Sequence, residues 1–363
     1  MLKRLPMCHA STKLEAKGLK TSATGFSILK TLIRRVLGSR VVFLAEKVPG
    51  LRQPLKSLGM RISRGSFGNR VVTIPIGAKG AFQLTHVDES YLAFQLFWRG
   101  GNYYEPLTCR LLQLLLRPGD TFVDIGAHIG FFALAIGHNV PGVRVFAFEP
   151  NPKNFGILKA NAQANVIGNM ICEPIAISDR DGTAKLYLTE SDMSASLMKD
   201  FQAEDTIQIG SVEVPTASLD SYLQQHRIEG PMVIKVDIEG HEPAFFRGAS
   251  KTLSERRPDI ILEVLYEQDP ALVSWLKSLG YHFYPITDEG LVESTAPRLV
   301  KRFPFLFLNH WVSVRPKREV ARILDEVCAG LGKLNLKDTS EHFPPEEWPL
   351  LWQDEPGWQA HSS

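Results

Sequence analysis

Asp124, Gly126, Gly130, Glu149 and Asp237 are spaced as a small-molecule site would need them. Asp124 lies in a short run, Thr121-Phe122-Val123-Asp124-Ile125, whose β-branched and aromatic residues suit a strand buried on both faces. Gly126 and Gly130 bracket the turn that follows, Gly126-Ala127-His128-Ile129-Gly130, where side chains would obstruct a ligand. The pattern becomes helical from Phe131, so the free N–H groups of a helix start would face whatever the turn holds. A second run, Val143 to Phe148, ends at Glu149, 25 residues beyond Asp124, the length of a strand–helix–strand unit. An acid there is placed to accept hydrogen bonds from two ribose hydroxyls.

Such a pattern holds a nucleoside, and the glycines narrow which one. The dinucleotide fingerprint Gly-x-Gly-x-x-Gly opens room for a pyrophosphate. Here the order is Asp-x-Gly-Ala-x-x-Gly, with Asp124 ahead of the first glycine. A carboxylate suits a cofactor that carries an amine and a sulfonium but no phosphate. That favours S-adenosylmethionine held by Asp124, Gly126, Ala127, the backbone of His128, Gly130 and Glu149. The competing reading is a strand–turn–helix core with no ligand.

Six stretches, taken in order, resemble the FkbM-type methyltransferases across roughly residues 71 to 315: Asp124-Ile125-Gly126-Ala127-His128-Ile129-Gly130, Ala147 to Pro152, Leu158 to Asn161, Ile175 to Gly182, Ser218-Leu219-Asp220 and Ile234 to Glu242. The resemblance implies S-adenosylmethionine-dependent methyl transfer, usually to a hydroxyl oxygen of a sugar or polyketide-like product. It implies that Glu105, in Tyr103-Tyr104-Glu105, stands near the cofactor's methionine end; an acid at a helix N-terminus explains it equally. Ala176 and Ile177 would set backbone groups and an apolar edge against adenine.

Moving a methyl group onto a hydroxyl also requires a place for the hydroxyl's proton. Asp237 is the first base candidate, because it ends the strand beside the cofactor strand and belongs to the shared motif. His241 is the second, since its ordinary pKa is near neutrality. Asp237 with Glu239 offers hard oxygen ligands for a divalent cation, although nothing in the spacing requires one. Asp237 as an N-cap, with Glu239 and Glu242 in the first helical turn, is the structural alternative. Glu263, ending the next strand, orients ligand or simply sits at the sheet edge.

The elements that must position these residues alternate strand and helix from Thr121 onward. That predicts an α/β domain with a doubly wound, mostly parallel seven-stranded sheet, a Rossmann-like class I methyltransferase fold. Ahead of it come a hairpin over Val71 to His86 turning at 77–80, and a helix capped by Asp88 and running through Trp98. Phe305 to Val314 supplies the last strand. Ser194-Ala195-Ser196-Leu197 is either a loop over the site or a plain connection. The expected division is a basic extension over residues 1–70, the methyltransferase domain over 71–315, and a helix with a polar tail over 316–363.

Charge is uneven along the 363 residues: 15 of 41 Lys and Arg, but only two of 39 acids, fall in residues 1–70. That arm suits an anionic partner or the acidic domain itself. Met1 to Thr24 reads as disordered, with a faint look of a transit peptide. Phe26 to Ala45 is a basic amphipathic helix, which either packs on the domain or a dimer partner, the preferred reading, or lies in a membrane interface. Four scattered cysteines, without a Cys-x-x-Cys, fit a reducing, cytoplasmic setting. No apolar run spans a bilayer.

The acceptor expected from all this is a small molecule or glycan. Nucleic acid is disfavoured, because the basic residues lie in the arm and not around the motifs. Two alternatives remain. One is a non-catalytic or peripheral membrane-associated binding protein of the same fold, opposed by the intact acids. The other is a nicotinamide-dependent oxidoreductase, opposed by the missing Gly-x-Gly-x-x-Gly fingerprint.

Overall fold

Alternation along seven strands decides which side chains reach the site. The computed structural model describes residues 22–330, apart from 49, 77–79, 192, 200–206, 266–267, 291, 299 and 303–304. The readings placed on Met1 to 21, on the hairpin turn at 77–79 and on the tail beyond 330 lie outside the described residues.

The strands of the main sheet are β1 (Thr121–Ile125), β2 (Arg144–Phe148), β3 (Met170–Glu173), β4 (Met232–Val236), β5 (Asp259–Glu263), β6 (His282–Pro285) and β7 (Asn309–Ser313). Their spatial order is β3-β2-β1-β4-β5-β7-β6. β1 to β5 run parallel, whereas β7 is antiparallel to both β5 and β6 between which it lies. The chain therefore reverses direction through the sheet from β1, first toward β3 and then toward β6. Such a switch point leaves a crevice beyond the carboxyl ends of β1 and β4.

β1 and β4 are buried along their whole length, so each face of the sheet takes every second residue. Val123, Ile125, Ile234, Val236, Ile260 and Leu262 pack on one face with the helices Leu219–Gln225, Glu242–Gly248 and Pro270–Ser278. Phe122, Val145, Val233, Ile261 and Trp311 pack on the other with the helices Pro106–Leu115, Phe131–Asn139, Pro152–Asn165 and Lys317–Ala329. Asp124, Lys235, Asp237 and Glu263 share the parity of this second face.

The N-terminal hairpin, Val72–Ile76 with Gly80–Leu84, lies against that same layer. Phe82 meets Phe131 edge to face at 5.9 Å between ring centres. Asn161 Oδ1 accepts from the Thr85 N–H at 2.7 Å, and Asn165 bonds both backbone groups of Gln83. A three-stranded sheet of Ala176–Ser178, Gly182–Thr189 and Gln208–Ser218 stands beside β3.

Two local expectations are corrected. Asp88 does not cap the helix Tyr91–Arg99; Ser90 does, and Asp88 instead accepts the N–H groups of Gly65, Phe67 and Gly68. This clamp, with Phe67 buried against Phe97, binds the 52–70 segment into the main core, where Arg52–Ile62 is a helix. The Phe305 to Val314 run is two strands: Phe305–Phe307 pairs with Val300–Arg302, and only Asn309–Ser313 enters the sheet.

Candidate active site

The turn after β1 is shaped by contact with its own protein. Gly126 has φ 81, and a Cβ placed there would lie 1.7 Å from the Asp237 carbonyl oxygen. Asp237 N–H in turn donates to the Ile125 carbonyl at 3.0 Å. The loops after β1 and β4 thus touch backbone to backbone, and only glycine lets them. Gly130, at φ 91, makes room for Leu158 in the same way. These glycines clear protein atoms, which differs from the clearance for a ligand that the sequence suggested.

Glu149 is held by two backbone donors. The His128 N–H donates to its Oε2 at 2.7 Å, and the Asn151 N–H donates to its Oε1 at 2.8 Å. His128 takes a left-handed φ of 52 to deliver its N–H, which fits its place in a glycine turn. Burial pushes the Glu149 carboxyl up to about 7, although both backbone bonds pull the other way. Each oxygen keeps a further lone-pair direction for a hydroxyl.

A cluster centred on Lys235 forms the second half. Lys235 is 1% exposed in the middle of β4, and its Nζ donates to Asp237 Oδ2 at 2.7 Å. The same ammonium lies 4.7 Å from the centre of the Phe132 ring. Burial opposes its charge, but Asp237, Glu105, Asp124 and Glu263 outweigh burial and hold its pKa above the ordinary value. Burial likewise opposes a charged Asp237, yet Lys235 and a hydrogen bond from Glu263 keep that carboxyl below its usual range. Glu263 is pushed well upward by burial and by the Asp237 charge, so it is the partner that keeps the proton. Carboxylate oxygens of Glu105, Asp237 and Glu263 lie within 4.8 Å of one another. Glu105 accepts from Asn309 Nδ2 at 2.8 Å, and burial raises its pKa.

A single cavity receives most of the residues singled out in the sequence. Gly126, His128, Glu149, Ala176, Ile177, Asp237, Glu239 and His241 line it, with Glu263 and Tyr104. Met193, Ala195 and Leu197 close one side, and Ser196 Oγ donates to the Glu239 carbonyl at 2.6 Å. The serine-rich stretch is therefore a wall of the cavity.

Glu105, Asp124, Ala127 and Gly130 are not in that lining. Asp124 lies on β1 beside the Lys235 cluster. Its register partner on β4 is Lys235, so its side chain leaves the sheet beside that lysine, behind the cavity wall. Asp124 is 1% exposed, and burial pushes its carboxyl up to about 7 against the pull of Lys235 and of a backbone hydrogen bond from Ala133.

The two base candidates sit in different surroundings. His241 Nε2 lies 2.9 Å from Ser178 Oγ; burial lowers its pKa, and its charged neighbours are Asp179 and Arg247. Asp237 faces the lysine and acid cluster. It does not cap a helix: the next helix begins at Glu242, with His241 at its cap position. Glu239 is not among the three carboxylates whose oxygens converge. It has φ 52, its Oε2 is buried without a partner, and burial with the Asp237 and Glu242 charges raises its pKa well above the ordinary range.

Lys235 is the residue that sequence reasoning missed. Its signal was present, since a lysine flanked by Val233, Ile234 and Val236 in a strand buried on both faces needs a counter-charge.

Comparison with known proteins decides the family. A family model described as the methyltransferase FkbM domain matches residues 124–283, the stretch from the end of β1 into β6. The chain carries an FkbM-type methyltransferase domain. It is 26% identical over 199 residues to the 31-O-demethyl-FK506 methyltransferase FkbM of Streptomyces tacrolimicus, covering 48% of this chain and 76% of that protein. It is 29% identical over 169 residues to the hexuronic acid methyltransferase AglP of Haloferax volcanii, covering 47% of this chain and 66% of that one. The crystal structure of a methyltransferase FkbM from Methylobacillus flagellatus aligns at a TM-score of 0.37 and 17% identity, over 61% of this chain and about half, 52%, of that one. Residues 124–283 thus form an FkbM-type methyltransferase domain, and the relatives are named as O-methyltransferases or by the molecule they methylate.

Proposed function

We propose that this FkbM-type protein uses S-adenosylmethionine to methylate a hydroxyl of a carbohydrate or polyketide-like small molecule. The observation that carries the reading is Glu149: a carboxylate fixed by two backbone N–H groups, opening onto a cavity that also receives Asp237. The catalytic unit in this reading is residues 71–315, with 1–70 and 316–363 as appendages. The relatives named above act on demethyl-FK506 and on hexuronic acid, both of which agree with a hydroxyl acceptor.

The residues fit the cofactor. Glu149 would accept from its ribose hydroxyls, the Gly126 to His128 backbone would border it, and Ala176 with Ile177 would flank its adenine. Glu105 and Asp124, with Ala127 and Gly130, support this wall from behind. When bound, S-adenosylmethionine supplies an electrophilic methyl group on a good leaving group.

The protein's own share is alignment, exclusion of water and custody of one proton. Asp237 takes the proton that the acceptor hydroxyl gives up. Lys235 keeps Asp237 ionised, so this acceptor is available throughout neutral pH. Lys235 also fills the cationic role in the cluster, 2.7 Å from Asp237, and we assign no step to a divalent ion there. His241, neutral and tied to Ser178, holds the acceptor side of the wall.

Calorimetric titration with S-adenosylmethionine tests the first half. Binding to the wild type, its loss in Glu149→Ala, and no heat with NAD are expected; equal binding by Glu149→Ala would overturn the assignment. Labelled S-adenosylmethionine with cell extract, split into glycan, lipid, small-molecule and protein fractions, tests the second. Label in the glycan or small-molecule fraction supports the reading, and label confined to protein refutes it. Asp237→Asn should keep cofactor binding and lose transfer, whereas His241→Ala should lose far less.

A further inference from the structure

The N-terminal helix, Ser22–Lys47, is apolar on two opposite sides. One side is a seam against the domain. Val42 and Ala45 are 0% and 4% exposed there. Gly38 lies so close that a Cβ would meet Ser66 Oγ at 2.4 Å, and Ser39 Oγ donates to the Ser66 carbonyl at 3.1 Å. This seam agrees with the packed reading of the helix. The other side should then be polar, as on any helix with one face in solvent.

It is not polar. Ile33, Val36, Leu37, Phe43 and Leu44 are 49%, 55%, 48%, 50% and 41% exposed. At about 100° per residue these five fall within an arc of roughly 120°, centred opposite the seam. Arg40 and Lys47 lie in the same arc, and both are exposed. Among the described residues Arg40 has no carboxylate partner within ion-pair distance. A contiguous bare apolar stripe marks a surface that something covers.

The charge selects what. Self-pairing about a two-fold axis would bring this arginine-bearing stripe against its own copy, and Glu46 is the helix's only acid. A phosphate backbone would pair with Arg40 and Lys47 but leave five apolar side chains in water. A bilayer surface with anionic headgroups satisfies both, taking the apolar stripe below the headgroups while the long Arg40 and Lys47 side chains extend up to them. We propose that this FkbM-type methyltransferase docks on anionic membrane through the outer face of the Ser22–Lys47 helix, independently of what it methylates.

The test is flotation of the full chain with phosphatidylcholine vesicles, with and without phosphatidylserine. Binding is expected only with phosphatidylserine, and high salt should weaken it. Arg40→Gln with Lys47→Gln should weaken it by about fivefold per charge. Ile33→Ser, Leu37→Ser and Leu44→Ser together should abolish it, while the thermal midpoint and cofactor affinity stay at the wild-type values, because these side chains are outside the core. No flotation of the wild type with phosphatidylserine overturns the proposal. So does unchanged flotation of the triple serine variant, or a wild-type dimer in solution that this variant dissolves.

Discussion

Cofactor affinity should depend on pH through Glu149. Only the carboxylate form can accept both ribose hydroxyls, and burial sets its pKa at about 7 in the free protein. At a pH of about 6 roughly one molecule in eleven carries the charge, and at about 8 roughly ten in eleven. S-adenosylmethionine should therefore bind about tenfold more weakly at the lower pH. Folding moves the other way. An acid whose pKa is raised on folding costs stability above its folded pKa and costs none below its unfolded one, so the free protein should gain about 1.4 kcal/mol from this group between pH 8 and 6. Weaker binding at pH 6 then cannot be put down to unfolding. The assay is calorimetric titration at both values, with Glu149→Gln and Asp124→Asn alongside. Asp124 also has a carboxyl pushed up to about 7, but it lies outside the cavity lining, so Asp124→Asn should keep most of the slope. Glu149→Gln should bind weakly and flatly across the window. A flat wild type, or a Glu149→Gln that keeps the slope, refutes the assignment of Glu149 to the cofactor.

Lys235→Met removes the one cation facing four carboxyl groups; denaturant unfolding at pH 8 should show a loss of about 3–5 kcal/mol, with partial recovery at pH 6 as the acids take up protons. Gly126→Ala puts a methyl 1.7 Å from the Asp237 carbonyl and strains a φ of 81, so its melting midpoint should fall as for a loss of roughly 2–4 kcal/mol. Ser196→Ala deletes the 2.6 Å bond to the Glu239 carbonyl, about 1 kcal/mol, and should loosen the wall formed by residues 193–197. Its signature is faster cofactor release in stopped-flow traces with little change in the single-turnover rate.

How far the site could be read from sequence follows from where its constraints act. β1, β2 and β4 are buried on both faces, so their apolar runs and the acid after β2 stand out in a bare sequence. The glycine turn was also legible, but its reason was not. Gly126 answers to the Asp237 carbonyl, 111 positions away in the numbering, and no local pattern reports such a meeting. The surroundings of Asp124 were hidden for a related reason. Strand alternation says only that Asp124 and Phe122 share a face; the β1–β4 register is what turns it toward Lys235. Asp88 looked like a helix cap because caps are local, yet its partners are three N–H groups some twenty residues earlier. The serine-rich loop was left open between wall and connector, since only the Ser196 bond to Glu239 distinguishes them.

The position of β7 has a consequence for where this enzyme begins and ends. The recognisable domain stops at residue 283, inside β6, but β6 touches the rest of the sheet only through β7, which comes later in the chain. β7 also brings Asn309 to Glu105, a residue that precedes the recognisable stretch. A protein trimmed to its detectable homology would leave β6 an orphan edge and strip the acid cluster of both its earliest and its latest contributor. On the ribosome, likewise, the sheet cannot be completed until Asn309–Ser313 has emerged.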